Sequence, residues 1–134
     1  MAKELYQKQI IELARESRKR KRFDAPDTTI RFDNPLCGDR IDLDFLIEDG
    51  RISDIGFKVR GCALCEASSE LLAQNANGYQ LQELNTVGSK LSDYLVGKIE
   101  NPDWEGFEVF EPVKSVPPRH ECVLLPFNAI KKAI

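Results

Sequence analysis

The spacing of apolar side chains along this chain changes from helical to alternating and back to helical. Tyr6, Ile10, Leu13 and Ala14 recur at helical spacing and predict an amphipathic helix from residue 3 to about 20. "FDAPDTT" ends it, because the residue before Pro26 is pushed out of the helical region. In "RIDLDFLIEDGRISDIGFKVRG", Ile41, Leu43, Phe45 and Ile47 alternate with Asp42, Asp44 and Glu48, which predicts a strand with one buried and one wet face. Asp49–Gly50 supplies a hairpin turn, and Ile55, Phe57 and Val59 resume the alternation on a second strand. Ile52 falls out of phase with them, which predicts a bulge near Ser53.

From Cys62 the helical period returns. Leu64, Ala67 and Leu71 mark a helix ending at Asn77–Gly78, and Leu81, Leu84, Leu91 and Leu95 mark another stopped by Gly97. "ENPDWEGFEVFEPVKSVPPRHE" holds five Pro or Gly residues and reads as an extended excursion. The chain closes on a short helix, "VLLPFNAIKKAI". Pro126 cannot bond back to the carbonyl of Cys122, which predicts that the regular helix begins at or after residue 122. Strands first and helices later predict an α+β fold: a small antiparallel sheet of about three strands with helices packed on one face.

A length of 134 residues suits a single domain, 1–134, with one core. No apolar run is long enough to span a bilayer, so no membrane partner is expected. The first residues, "MAKELYQKQIIELA", lack the apolar stretch of a signal peptide, which places the expectation in the cytoplasm. Thiols stay reduced there, so cysteines point to metal or chemistry. A net charge of −3 argues against nucleic acid as the main partner. "RESRKRKR", residues 15–22, departs from that balance with six basic side chains against one Glu. The simpler reading is a solvated helix end, where cations suit the dipole; the sharper one is a docking patch for an acidic partner.

Three of the four cysteines stand where ligands stand. Cys37 lies in the turn "NPLCGDR", Cys62 follows Gly61 at a strand-to-helix junction, and Cys122 precedes the last helix. Asp39, two residues after Cys37, either caps a turn or pairs with Arg40, or else adds a carboxylate to the three thiols. Three thiolates and a carboxylate would complete a tetrahedral zinc site, drawn from three distant segments rather than from a local finger.

These residues carry a family resemblance. "NPLCGDRIDL", "GRISDIGFKVRGCALCEASSELL" and "PPRHECVLLPFNAI" together resemble the iron–sulfur cluster assembly scaffolds of the IscU/SufU family, also seen as the N-terminal part of NifU. The chain is most similar to the SufU branch: 59 residues separate Cys62 from Cys122, and Arg119 stands three before the last cysteine. The resemblance implies the SufE/IscU-like fold and a zinc ion on Cys37, Asp39, Cys62 and Cys122. It implies that Cys122 accepts sulfane sulfur from the persulfide of a PLP-dependent cysteine desulfurase. It also implies that Cys37, Cys62 and Cys122 hold a transient 2Fe–2S cluster or iron, handed on to apo iron–sulfur acceptor proteins. The activity implied is at most that of a zinc-dependent sulfurtransferase, and otherwise that of a non-enzymatic scaffold.

The chain departs from that pattern at two places. Glu121 stands before Cys122 where the IscU branch has a histidine and the SufU branch a lysine, and His120 is one position too early. Cys65 has no ligand counterpart, yet it shares a helix face with Cys62, which opens a four-thiolate site or a Cys62–Cys65 disulfide. The expectation taken here is that Cys65 sits behind Cys62, off the resting metal, near enough to bridge to it. Two rival readings stand: a thiol-redox protein using Cys62 and Cys65, and a binding domain with a purely structural zinc.

Overall fold

The computed structural model describes residues 2–134 and has the α+β architecture the pattern predicts. A first helix, α1 (Ala2–Ser17), is followed by β1 (Thr28–Asp33), β2 (Arg40–Glu48) and β3 (Arg51–Arg60). Then come α2 (Ala63–Asn75), α3 (Leu81–Leu95), a 3₁₀ helix at Phe107–Ser115, a short 3₁₀ turn at Pro117–Arg119, and α4 (His120–Ala133). The sheet is antiparallel throughout, in the order β1-β2-β3. Leu46 pairs with Asp54 and Ile47 with Ile52, so Ser53 is the extra residue of the bulge, its hydroxyl donating to the Leu46 carbonyl at 3.1 Å.

Cross-strand register puts Ile30, Leu43 and Phe57 in one row and Phe32, Ile41 and Val59 in the next. That apolar face receives α2 and α4, and α1 packs on α2. The β1 strand was not marked by the sequence pattern, since Ile30 and Phe32 are its only large apolar residues.

Four features of the fold differ from what the sequence pattern predicts. The first concerns Asp42 and Asp44, which are buried rather than wet. After α1 the chain leaves the helix at Ser17, short of residue 20, and crosses the polar face of the sheet before joining β1. Gly56 makes this crossing feasible: a Cβ there would lie 2.5 Å from the carbonyl oxygen of Lys21. Asp44, fully buried, accepts both guanidinium N–H groups of Arg22 at 3.0 and 3.1 Å, the Thr29 hydroxyl at 2.7 Å and the Phe23 N–H at 3.0 Å. Asp42 accepts from Arg31 across the strand pair.

The second correction concerns the basic run. Arg18 pairs with Glu66 at 2.9 Å and Arg20 with Glu70 at 2.9 Å, two carboxylates one turn apart on α2. With Arg22 on Asp44, three of the six cations are paired to carboxylates on α2 or β2, which a solvated helix end would not require. Third, the segment from Phe107 to Ser115 is helical, not extended: Phe107, Val109, Phe110 and Val113 are buried, and Trp104, Phe107 and Phe127 stack with centroids 4.9 to 6.2 Å apart. The 3₁₀ winding absorbs Pro112, which a long α-helix would not. Fourth, α4 begins at His120, ahead of Cys122. Pro126 therefore lies inside the helix, which runs on past it although the Cys122 carbonyl lacks its usual donor there.

Asp44 is the test of the crossing segment. Burial pushes its carboxyl up, but the bonds from Arg22, Thr29 and Phe23 outweigh this and hold it below the usual carboxylate range. Asp44→Ala should cost about 2–3 kcal/mol in denaturant unfolding near neutral pH, the scale of lost bonds to a buried charge. A depressed folded value means that the contribution is present above the unfolded pKa of ~3.9 and lost as pH falls through the folded one. The gap between parent and variant should therefore shrink in acid.

Candidate metal and sulfur site

The site forms where three elements meet. The β1–β2 turn brings Cys37 and Asp39, the β3–α2 junction brings Cys62, and the start of α4 brings Cys122. Asn34, itself buried, holds the turn: its N–H donates to the Asp39 carbonyl at 2.8 Å, its carbonyl accepts from Gly38 N–H, and its side-chain oxygen accepts from Leu36 N–H. The Asn34 amide also donates to Glu121 at 3.0 Å, and Asn128 donates to the same carboxylate at 3.2 Å. Glu121 thus clamps the Asp39 turn to the helix that carries Cys122. Asn34 was missed as a site residue, although its place before Pro35 in "NPLCGDR" is a turn-opening signal.

The donor atoms of Asp39, Cys62, Cys65 and Cys122 all lie within 4.8 Å of one another. Cys65 donates to Asp39 Oδ2 at 3.0 Å, Cys37 donates to the same oxygen at 3.2 Å, and the Cys122 sulfur lies 3.8 Å from it. Cys62 and Cys65 sulfurs are 3.8 Å apart. The structure therefore gathers Asp39, Cys62 and Cys122 as expected, adds Cys65, and leaves Cys37 exposed at the edge, in contact with Asp39. Gly61 opens the space: a Cβ there would stand 3.0 Å from the Cys65 sulfur and 3.1 Å from the Asp39 carboxyl carbon. Arg119 lies outside the cluster, exposed, and lines an apolar groove with Ile10, Ile11, Leu64 and Val116. His120 turns away, its Nε2 within 3.0 Å of the Val113 carbonyl.

A soft donor set of this kind fits a thiophilic ion. Two sulfurs bound to a tetrahedral zinc at ~2.3 Å stand ~3.8 Å apart, the spacing that Cys62 and Cys65 already have. Electrostatics sort the thiols. Cys62 is pulled down to about 5, foremost by the neighbouring Cys65 thiol and, against the opposing effect of burial, by the Cys65 and Leu64 N–H groups and the Cys122 thiol. Cys65 is raised by Cys62 and by burial. Burial and Cys62 push Cys122 up to about 12. Cys37 is also raised, by desolvation and by its bond to Asp39.

With this geometry in place, comparison with known proteins settles the family. Residues 5–134 match the NifU-like N terminal domain. The chain belongs to that family. It is 32% identical to the iron–sulfur cluster assembly scaffold protein IscU of Streptococcus pyogenes, over 78% of this chain and 67% of that one. It is 27% identical to the zinc-dependent sulfurtransferase SufU of Bacillus subtilis, over 78% and 73%. The crystal structure of a nitrogen-fixing NifU-like protein (N-terminal) from Brucella abortus superimposes with a TM-score of 0.78 at 29% identity, covering 93% of this chain and 88% of that one. Among the described residues, no helix is long and apolar enough to cross a membrane.

The sorting of thiols predicts an inverted reactivity. In the metal-free protein at about pH 6, iodoacetamide should label half-buried Cys62 ahead of exposed Cys37, because the thiolate is the nucleophile. Labelling of Cys62 should fall only as pH drops through about 5. Peptide mass spectrometry reads both, and earlier labelling of Cys37 would refute the assignment.

Proposed function

We propose that this chain is an iron–sulfur cluster assembly scaffold and sulfur acceptor. It takes persulfide sulfur from a PLP-dependent cysteine desulfurase and passes sulfur or a nascent cluster to apo acceptor proteins. The observation that carries this reading is the convergence of Asp39, Cys62, Cys65 and Cys122 within 4.8 Å from segments far apart in sequence. Membership of the NifU-like N terminal domain family and the names of the relatives support it.

In this reading Cys122 is the acceptor. Its sulfur attacks the terminal sulfur of the desulfurase persulfide, the new S–S bond forms on Cys122, and the desulfurase cysteine leaves as a thiolate. Asp39, Cys62 and Cys122 would hold a zinc ion between transfers, with Cys37, already in contact with Asp39, as the fourth donor. Zinc, when bound, keeps its thiol ligands deprotonated and fixed in position. Asp39, the one hard donor, is the exchangeable member of the set. Cys65 is the rival for the fourth place, since the structure already puts it beside Asp39.

Two rival functions fare less well. The antiparallel order β1-β2-β3 contains no βαβ unit among the described residues, so the thioredoxin arrangement is not present. A purely structural zinc is needed where a domain lacks a core of its own, and here sheet and helices already share one continuous apolar cluster.

Metal analysis is the test. The parent should carry about one zinc per chain, and Cys62→Ser and Cys122→Ser should lose it. Cys37→Ser should also lose zinc while Cys65→Ser keeps it; the reverse pattern would assign the fourth place to Cys65. With a desulfurase and cysteine, the parent should gain one sulfur on Cys122, read by intact mass. A parent that gains none would refute the acceptor role.

A further inference from the structure

Cys65 is used neither by the resting zinc site proposed above nor by sulfur capture at Cys122. It is fully buried, on the first turn of α2, with its sulfur 3.8 Å from that of Cys62 and its proton donated to Asp39 Oδ2 at 3.0 Å. Gly61 leaves the space it occupies, and the three sulfurs of Cys62, Cys65 and Cys122 lie within 4.8 Å of one another. A partly exposed cysteine followed by a buried one at the next helical turn is the layout of a dithiol with an attacking and a resolving member.

We propose that Cys62 and Cys65 form an internal dithiol that reduces sulfane sulfur delivered to this site and releases it as sulfide. The inference rests on the acceptor reading only for the source of the sulfur. The persulfide on Cys122 has the form Cys122–S–SH. Cys62 attacks its terminal sulfur; the S–S bond to Cys122 breaks, Cys122 regains its thiol, and the persulfide now stands on Cys62. Cys65 then attacks Cys62 Sγ. A Cys62–Cys65 disulfide forms, and the terminal sulfur leaves with the bonding pair as sulfide, taking up the Cys65 proton by way of Asp39. One persulfide and two thiols give one disulfide, one thiol and one hydrogen sulfide: the sulfane sulfur gains two electrons and the dithiol loses them. A further round needs an external dithiol reductant to reopen the disulfide. Preorganisation favours the internal route, because a thiol held against the persulfide acts at an effective concentration far above that of a free one.

This places reduction and capture on one chain, so sulfur can leave as sulfide, the oxidation state that cluster building consumes. Such a step would be available only when metal does not occupy Cys62.

The experiment uses the full chain after chelation, with circular dichroism confirming that it is folded, and the protein as purified alongside. Glutathione persulfide, freed of excess thiol, loads the protein without a desulfurase; a second arm uses a desulfurase and cysteine. In both arms sulfide is measured per persulfidated chain, and disulfides are mapped by mass spectrometry. The chelated parent should release sulfide and form the Cys62–Cys65 bridge. Cys65→Ser, which keeps a hydrogen-bond donor for Asp39, should retain its persulfide and release sulfide at least about tenfold more slowly, the loss expected when an internal thiol is replaced by none. Cys65→Ala is the second variant if the first does not fold. Equal release from parent and variant would overturn the proposal, as would a Cys62–Cys122 bridge with Cys65 free. If sulfur enters from glutathione persulfide but not from the desulfurase, the acceptor reading fails while the sulfide measurement still decides the dithiol.

Discussion

The site depends on one carboxylate oxygen. Asp39 Oδ2 receives the thiols of Cys37 and Cys65 at 3.2 and 3.0 Å and has the sulfur of Cys122 at 3.8 Å. No two of these three cysteines belong to the same element, so their approach to a single acceptor is what draws a turn, a helix start and a second helix start together. An acceptor in this position is itself held: Asn34 fixes the backbone of Asp39 and, through Glu121, anchors the turn to α4. Hydrogen bonds to a charged group are among the stronger ones in a protein interior, and a shared acceptor couples every donor to the position of the others.

Beneath this junction, the arginines at 18, 20 and 22 keep the scaffold in register. Arg18 and Arg20 grip consecutive turns of α2 while Arg22 reaches Asp44 on the far face of the sheet. The guanidinium of Arg20 also lies 5.8 Å from the Phe57 ring and donates to the Ile55 carbonyl, so it closes an edge of β3 that would otherwise stand open. The helix that begins with Cys62 is thereby fixed to the strand that precedes it and to the segment that follows α1. Placement of the Cys62 thiol to within the tolerance of a metal site needs a rigid support of this kind.

A site built from soft donors around one hard one is suited to exchange. Thiolates suit a thiophilic ion, and the carboxylate is the one hard donor among them. Having one thiol more than the ion requires changes what the site can do when it is empty. With Cys65 beside Cys62, the pocket holds a pair of thiols whose sulfurs lie 3.8 Å apart.

Much of this was legible in the chain before folding. Period-two alternation across Asp49–Gly50 predicted the hairpin, and the phase slip at Ile52 predicted the bulge at Ser53, because both are consequences of local side-chain direction. The positions of Cys37, Cys62 and Cys122 at turns and helix starts are local as well, and so is the likeness of their surrounding motifs to a family. Tertiary structure decided the rest. Asp42 and Asp44 look solvated in any strand pattern; Asp44 is covered by the segment that crosses over it and Asp42 is paired by Arg31 from β1, and strand periodicity carries no information about what covers a face. The helical winding of Phe107–Ser115 came from aromatic packing onto Phe127, which outweighed the Pro and Gly signals of an extended loop. The sequence by itself determined which residues could serve as ligands and where each sits on its element. Only the fold decided that Cys65 stands among them and Cys37 at the edge, because distances between remote segments follow from packing and not from spacing along the chain.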